Sequence, residues 1–220
     1  MDKFFKYAER HGDDMIRCLL EHIEMCGIAI AISLIIAIPL CVLLMHHKTL
    51  SKVVVALLGA CYAIPSMAFF AILLPIFGLG KTGAIFVLTV YSQFILTKNI
   101  LAAFAGIDPL MLESARGMGM STFQVFTKVQ FPLALPVILS GIRIAAIATI
   151  GSATIAQTIN AGGIGKILFE GLRTNNVVKM IWGTILAAFL ALTVNFILER
   201  LEKIALRKAR GEYVKESQAK

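Results

Sequence analysis

A chain of 220 residues that is 58% hydrophobic and only 15% charged, with a mean hydropathy of +0.84, lies outside the range of a soluble domain and reads as a membrane protein. A net charge of +8 invites a nucleic-acid reading, but the basic residues flank apolar stretches without interleaved aromatics, so anionic lipid headgroups are the expected counter-charge. Metal and acid/base enzyme chemistry find little footing. Cys18, Cys26, Cys41 and Cys61 show no CxxC spacing and sit mostly in or beside apolar stretches, the adjacent His46 and His47 cannot face each other on a helix, and no span interior pairs ionisable groups.

Residues 3–23 set Phe4, Tyr7, Ile16, Leu19, Leu20 and Ile23 largely three and four apart with charges between them. That pattern predicts an amphipathic helix at the outer membrane interface over residues 1–24, or else an N-terminal extension of the first span. Four charge-free stretches are long enough to cross about 30 Å of hydrocarbon: Met25–Met45, Val53–Gly80, Ile144–Gly165 and Met180–Leu198. Thr82–Thr97 makes a fifth if Lys98 snorkels, since the apolar pattern resumes through Phe104. The first stretch begins too far in, and follows too acidic a segment, for a cleaved signal, so it is expected to stay as an anchor.

Five spans put the two ends on opposite faces. Lys48, Lys52, Lys98, Arg116, Lys128 and seven basic residues in the 199–220 tail make twelve on one face against eight on the other, which favours an outside N-terminus and a cytoplasmic tail.

Within the second span, Pro65 and Pro75 each remove a backbone donor and are expected to kink it, for a transport path or merely for packing, and Gly78 and Gly80 close it. The fourth span is built from small residues, Ala145 through Ala156, which let helix backbones approach closely in lipid and predict a central position. After it, Gly162, Gly163 and Gly165 break the helix before an amphipathic turn from Lys166 to Leu172. Such a loop is either a docking surface for a soluble partner or a plain connector. Arg143, near the cytoplasmic end of the fourth span, reads either as functional or as a side chain that snorkels or pairs with a helix carbonyl.

The polar stretch "ESARGMGMSTFQVFTKVQFP", Glu113 to Pro132, is organised differently. Asp108 caps a helix that has Pro109 at its first position, and Gly117 with Gly119 stops it. Ser121 with Gln124 then forms a capping box that starts a second helix, ended by Pro132. The product is a pair of short cytoplasmic helices, a stiff knob suited to a groove on another protein.

Glu113, Ala115, Gly119 and Pro132 resemble the E-A-A-x3-G signature of bacterial ABC importer permeases, which continues nine residues later as I-x-L-P. Ser114 replaces the second residue of that signature, and Val129 and Phe131 replace its Ile and Leu. The stretches "IPSMAFFAILLPIFGLGKTGAI", "FPLALPVILSGIRIA" and "IGSATIAQTINAGGIGKILFEGL" are similar to permeases of the osmoprotectant type, which take glycine betaine, carnitine and choline.

The resemblance implies an all-α, type I ABC importer permease fold with five transmembrane helices in a bacterial cell membrane. It implies a permease domain over 25–198 with a coupling loop at about 106–131. A second permease, identical or paralogous, would complete the pore, with separate cytoplasmic ATPases and an external solute-binding protein as partners. The chain lacks G-x-x-x-x-G-K-[ST], so ATP and Mg belong on the partner; no cofactor or metal is expected here, and the chain is not catalytic by itself. Glu113, Ser114, Ala115, Arg116, Gly117, Gly119 and Pro132 become the ATPase-coupling set, and Gly162, Gly163 and Gly165 the binding-protein docking set. Tyr62, Pro65, Ser66, Tyr91, Thr154 and Gln157 are candidates for the solute path, the tyrosines offering aromatic faces to a quaternary ammonium head. The same architecture importing methionine or a thiol betaine is the alternative.

Overall fold

A computed structural model describes residues 2–209, with side chains from residue 4. Helix α1 (Asp2–Leu44) leads through a short turn to α2 (Lys48–Ala63), α3 (Ser66–Phe77) and α4 (Lys81–Ala105). The short α5 (Pro109–Gly117) and α6 (Thr122–Val125) precede a π turn (Phe126–Gln130) and α7 (Phe131–Ile155). A 3₁₀ turn (Ala156–Ile159), α8 (Ile164–Arg173) and α9 (Val177–Ala209) complete the described chain. Residues 210–220, most of the anticipated tail, lie outside the described residues.

Four helical segments, Phe4–Leu44, Lys81–Ala105, Thr122–Ile159 and Val177–Ala209, are long and apolar enough to cross a membrane, and α2 with α3 supplies a fifth span bent by 94°. α4 packs between α1 and α7, while α9 lies against α7 and α8. Alanines make the contacts close: Ala29 and Ala37 on α1, Ala84 on α4, and Ala134, Ala145 and Ala153 on α7 are fully buried. The large apolar side chains Ile35, Ile76, Phe189 and Leu192 point outward instead, as a lipid-facing surface requires.

α4 is the most buried of the candidate spans, ahead of the small-residue helix α7. Its polar residues join its neighbours: the Ser33 hydroxyl donates to the Thr89 carbonyl at 3.0 Å, and the Ser92 and Thr149 hydroxyls meet at 2.8 Å. Each such bond inside a bilayer contributes about 0.6–2 kcal/mol.

Several expectations change. α1 is kinked at His11 (φ −121°, ψ 15°), and beyond that kink residues 12–44 run as one helix straight through residue 24, so this part of the segment follows the second of the two arrangements considered, an extension of the first span. The helix that carries the fourth span begins at Phe131, well before Ile144, and Pro132 does not end a helix. The π turn widens the coil just ahead of Pro132, where Phe131 N–H reaches back five residues to the Phe126 carbonyl. That widening accommodates a ring that has no N–H to donate and that collides with the i−4 carbonyl of a regular helix. Pro75 likewise lies inside α3 without breaking it; the bend comes from Pro65 alone. Gly165 is within α8 and breaks nothing.

Arg143 sits mid-helix in α7 and pairs across to α9, with Nη2 3.2 Å from Glu202 Oε2 and Nη1 donating to Asn195 Oδ1 at 3.4 Å. It therefore pairs with side chains of a neighbouring helix rather than with a helix carbonyl.

Candidate functional site

The polar elbow is built by local chemistry. Asp108 Oδ1 accepts from Leu110 N–H at 2.9 Å at the start of α5. The capping box at α6 is complete, with Gln124 N–H donating to Ser121 Oγ at 3.3 Å and Ser121 N–H to Gln124 Oε1 at 2.9 Å. Between the two helices, Gly119 takes φ +83°, a conformation that costs any other residue about 1–2 kcal/mol. Gly117 keeps helical geometry as the last residue of α5, so the turn depends on Gly119.

Ala115 and Val125 are each 2% exposed and pin the elbow from beneath, while Glu113, Ser114, Arg116, Gly117 and Gly119 are exposed and Pro132 is half-buried. Around them stand Leu110, Met111, Met118 and Phe123, with Met118 at 73% and Phe123 at 74% exposure. Sequence reasoning missed this apolar rim. Its signal was there: four large apolar residues in a segment otherwise rich in capping and turn residues.

The second constellation surrounds the bend in the α2–α3 span. Pro65 has no N–H and forces Ile64 out of the helical region to ψ 128°, which leaves the Ile64 carbonyl without its helical partner. The Tyr91 hydroxyl, reaching from α4, donates to that carbonyl. Tyr62 stacks edge-on against Tyr91 at 5.4 Å and tilted against Phe94 at 5.0 Å, and Phe69 lies 5.7 Å from Tyr91. Lys98 Nζ stands 5.8 Å from the centre of the Phe94 ring, so one face of this cluster already holds a cation.

Tyr62, Pro65 and Tyr91 are thus brought together, with Ser66 adjoining as the first residue of α3. Phe69 and Phe94 are additions that an apolar background hid. Thr154 and Gln157 make local bonds at the end of α7: the Thr154 hydroxyl donates to the Gly151 carbonyl at 2.7 Å, and Gln157 Oε1 accepts from Gly162 N–H at 3.2 Å.

The third region is the turn after α7. Asn160, Gly162 and Gly163 all take positive φ, and α8 follows. A Cβ on Gly165 would stand 2.1 Å from the Thr154 carbonyl oxygen, so α8 crosses the end of α7 at backbone contact. An open cleft of about 690 Å³ beside α8 is lined by Gln157, Thr158, Asn160, Lys166, Glu170 and Arg173, among others. Lys179 on α9 lies 3.0 Å from Glu170 and holds its carboxyl below the ordinary range, which ties α8 to α9.

An all-α bundle with one broken span and a capped polar elbow between α4 and α7 defines a multi-pass transport protein of the type I importer permease fold. The comparisons agree. The profile of the family described as binding-protein-dependent transport system inner membrane component matches residues 29–211, and the chain belongs to that family. It is a permease subunit of an ABC importer. The carnitine transport permease protein OpuCB of Listeria monocytogenes is 31% identical over 214 residues, covering 96% of this chain and 98% of that protein. The osmoprotectant import permease protein OsmW of Salmonella typhimurium is 33% identical, over 86% of this chain and 90% of its own length. Among solved structures, the inward-facing MetNI methionine ABC transporter superposes with a TM-score of 0.79 at 23% identity, over 87% of this chain and 95% of that one, a likeness of fold.

Proposed function

We propose that the chain forms half of the pore of an ATP-driven importer for quaternary ammonium osmoprotectants such as glycine betaine, carnitine or choline. The observation that carries the substrate class is the Tyr62, Phe69, Tyr91 and Phe94 cluster at the broken span. Aromatic faces attract a methylated ammonium head that has no hydrogen-bond donor to offer. The names of the relatives just described support the same class. Solute selection at high affinity belongs to the external binding protein, which docks on the turn 160–165, α8 and the cleft beside it.

The partners are two cytoplasmic ATPase subunits that hold ATP and Mg, a second permease, identical or paralogous, and the binding protein. Closure of the ATPase pair moves the grooves that seat α5 and α6, and the rigid π-linked continuation into α7 carries that displacement into the bundle. The exposed apolar rim of Leu110, Met111, Met118 and Phe123 is the surface for that seat.

Uptake of radiolabelled glycine betaine or choline by cells carrying the complete importer is expected to exceed methionine uptake by about tenfold or more, the scale set by one lost polar or cation–π anchor. The reverse ratio moves the chain to the amino-acid branch. The orientation has its own check. In a background cleared of native cysteines, Lys215→Cys is expected to resist a membrane-impermeant thiol reagent in intact cells and to label after permeabilisation; labelling in intact cells overturns the cytoplasmic tail.

A further inference from the structure

His22 is completely buried, and its ring joins segments far apart in sequence. Nε2–H donates to the Ile150 carbonyl on α7 at 3.1 Å, and Nδ1 accepts from the Ile164 amide, the first of α8, at 3.3 Å. Beside it, Glu21 Oε2 accepts from the Gly163 amide at 3.0 Å. The early amides of a helix have no partner within it, so two side chains of α1 supply two of the acceptors that α8 needs.

The glycines opposite are shaped to admit them. A Cβ on Gly162 would lie 2.6 Å from Glu21 Oε2, and one on Gly163 would lie 2.8 Å from His22 Nδ1. Both glycines also hold positive φ, so conformation and clearance point the same way.

We infer that Glu21 and His22 are positioning residues that clasp the turn 160–164 and α8 onto the bundle, and that His22 does so only as the neutral imidazole, which makes the clasp open in acid. A proton added at Nδ1 turns the acceptor of the Ile164 bond into a second donor. Two N–H groups then face each other at the helix end where unpaired amides already concentrate positive charge.

Among the described residues, no carboxylate hydrogen-bonds the His22 ring, whose two nitrogens meet only the Ile150 carbonyl and the Ile164 amide. Glu21 is engaged by Gly163, Glu24 is paired with Lys81 at 2.7 Å, and Asp14 with Arg17 at 2.7 Å. Lys166 on α8 is exposed, the buried Cys18 thiol is a weak donor one turn earlier on α1, and α7 offers the ring its Ile150 carbonyl. Opening therefore takes up a proton once the pH falls below the free imidazole value of about 6.5, and the closed form weakens by up to about tenfold for each further pH unit. The consequence for transport rests on the docking role proposed for α8; the clasp itself does not.

The test uses the assembled importer in lipid nanodiscs, with hydrogen-exchange protection factors, which are normalised for the intrinsic rate, read over residues 161–172 at about pH 7.5 and about pH 5. Protection is expected to fall about tenfold or more in the native protein, the span of one imidazole titration. It should hold steady in His22→Asn, whose amide oxygen takes the place of Nδ1 without titrating. Glu21→Gln, which keeps an acceptor, should retain the acid loss.

Unchanged protection in the native protein, or an acid loss that persists in His22→Asn, overturns the clasp, and the native titration alone is decisive if a variant fails to assemble. Binding of solute-loaded binding protein to the same samples separates the two ideas. Protection lost with docking intact sustains the clasp and removes α8 from the docking surface, whereas docking lost with protection unchanged removes the clasp.

Discussion

Gly119→Leu is expected to abolish the stimulation of ATP hydrolysis by loaded binding protein in the reconstituted importer while basal hydrolysis by the ATPase subunits continues. A Cβ at this position meets nothing within 4 Å, so crowding is not the reason. The reason is φ +83°, which for a γ-branched residue costs about 1–2 kcal/mol and shifts the elbow into other conformations by roughly tenfold. The Met120 N–H to Ala115 carbonyl bond at 3.2 Å, which fixes α6 relative to α5, goes with it. Glu113→Lys should give the same loss by another route. Its carboxylate is exposed on α5 and makes no bond among the described residues, so reversing its sign leaves the fold intact and places a like charge against whatever cation receives it. Normal stimulation in both variants, with the complex assembled, would remove the elbow from the coupling path.

The elbow was legible before its coordinates because its signals are local. Asp108 before Pro109, and Ser121 three residues before Gln124, place oxygens next to amides that a helix start leaves free, and no distant residue is needed to complete those bonds. The spans were legible for a related reason: hydrocarbon thickness sets a minimum length that composition reports directly.

What the sequence hid was everything decided by a partner far along the chain. The fourth charge-free stretch was started at Ile144 because Arg143 ends it, yet the guanidinium pairs across to Glu202 and Asn195 on α9, its Nε alone lacking a partner among the described residues. Pro132 reads as a stop unless the preceding turn is known to widen, and nothing in Phe126–Gln130 announces a π turn. His22 is one polar residue among several on a mixed segment, and its importance depends on carbonyl and amide partners 128 and 142 residues away. The aromatic cluster was half legible, since Tyr62 and Tyr91 stand out by type, whereas Phe69 and Phe94 gain meaning only from the bend that gathers them.

The glycines after α7 divide in a way that composition alone does not reveal, and the division makes a sharp prediction. Gly162 and Gly163 are conformational, with φ +83° and +73°, but Gly165 is helical and is glycine for space. Gly165→Ala puts a methyl 2.1 Å from the Thr154 carbonyl oxygen and 3.0 Å from Gln157 Cβ. The first of these neighbours is backbone and cannot rotate away, so α8 must lift from α7. Overpacking of this kind costs about 1–3 kcal/mol, and more where the backbone itself must shift. Gly27→Ala is the matched control, since its Cβ meets nothing within 4 Å, and alanine gains about 1 kcal/mol over glycine in a helix interior. Thermal unfolding of the purified importer should therefore show a lowered midpoint and reduced protection of α8 in Gly165→Ala, with Gly27→Ala unchanged or raised. If the two alanines behave alike, α8 does not meet α7 at backbone contact, and the crossing that presents the proposed docking face is looser than the geometry requires.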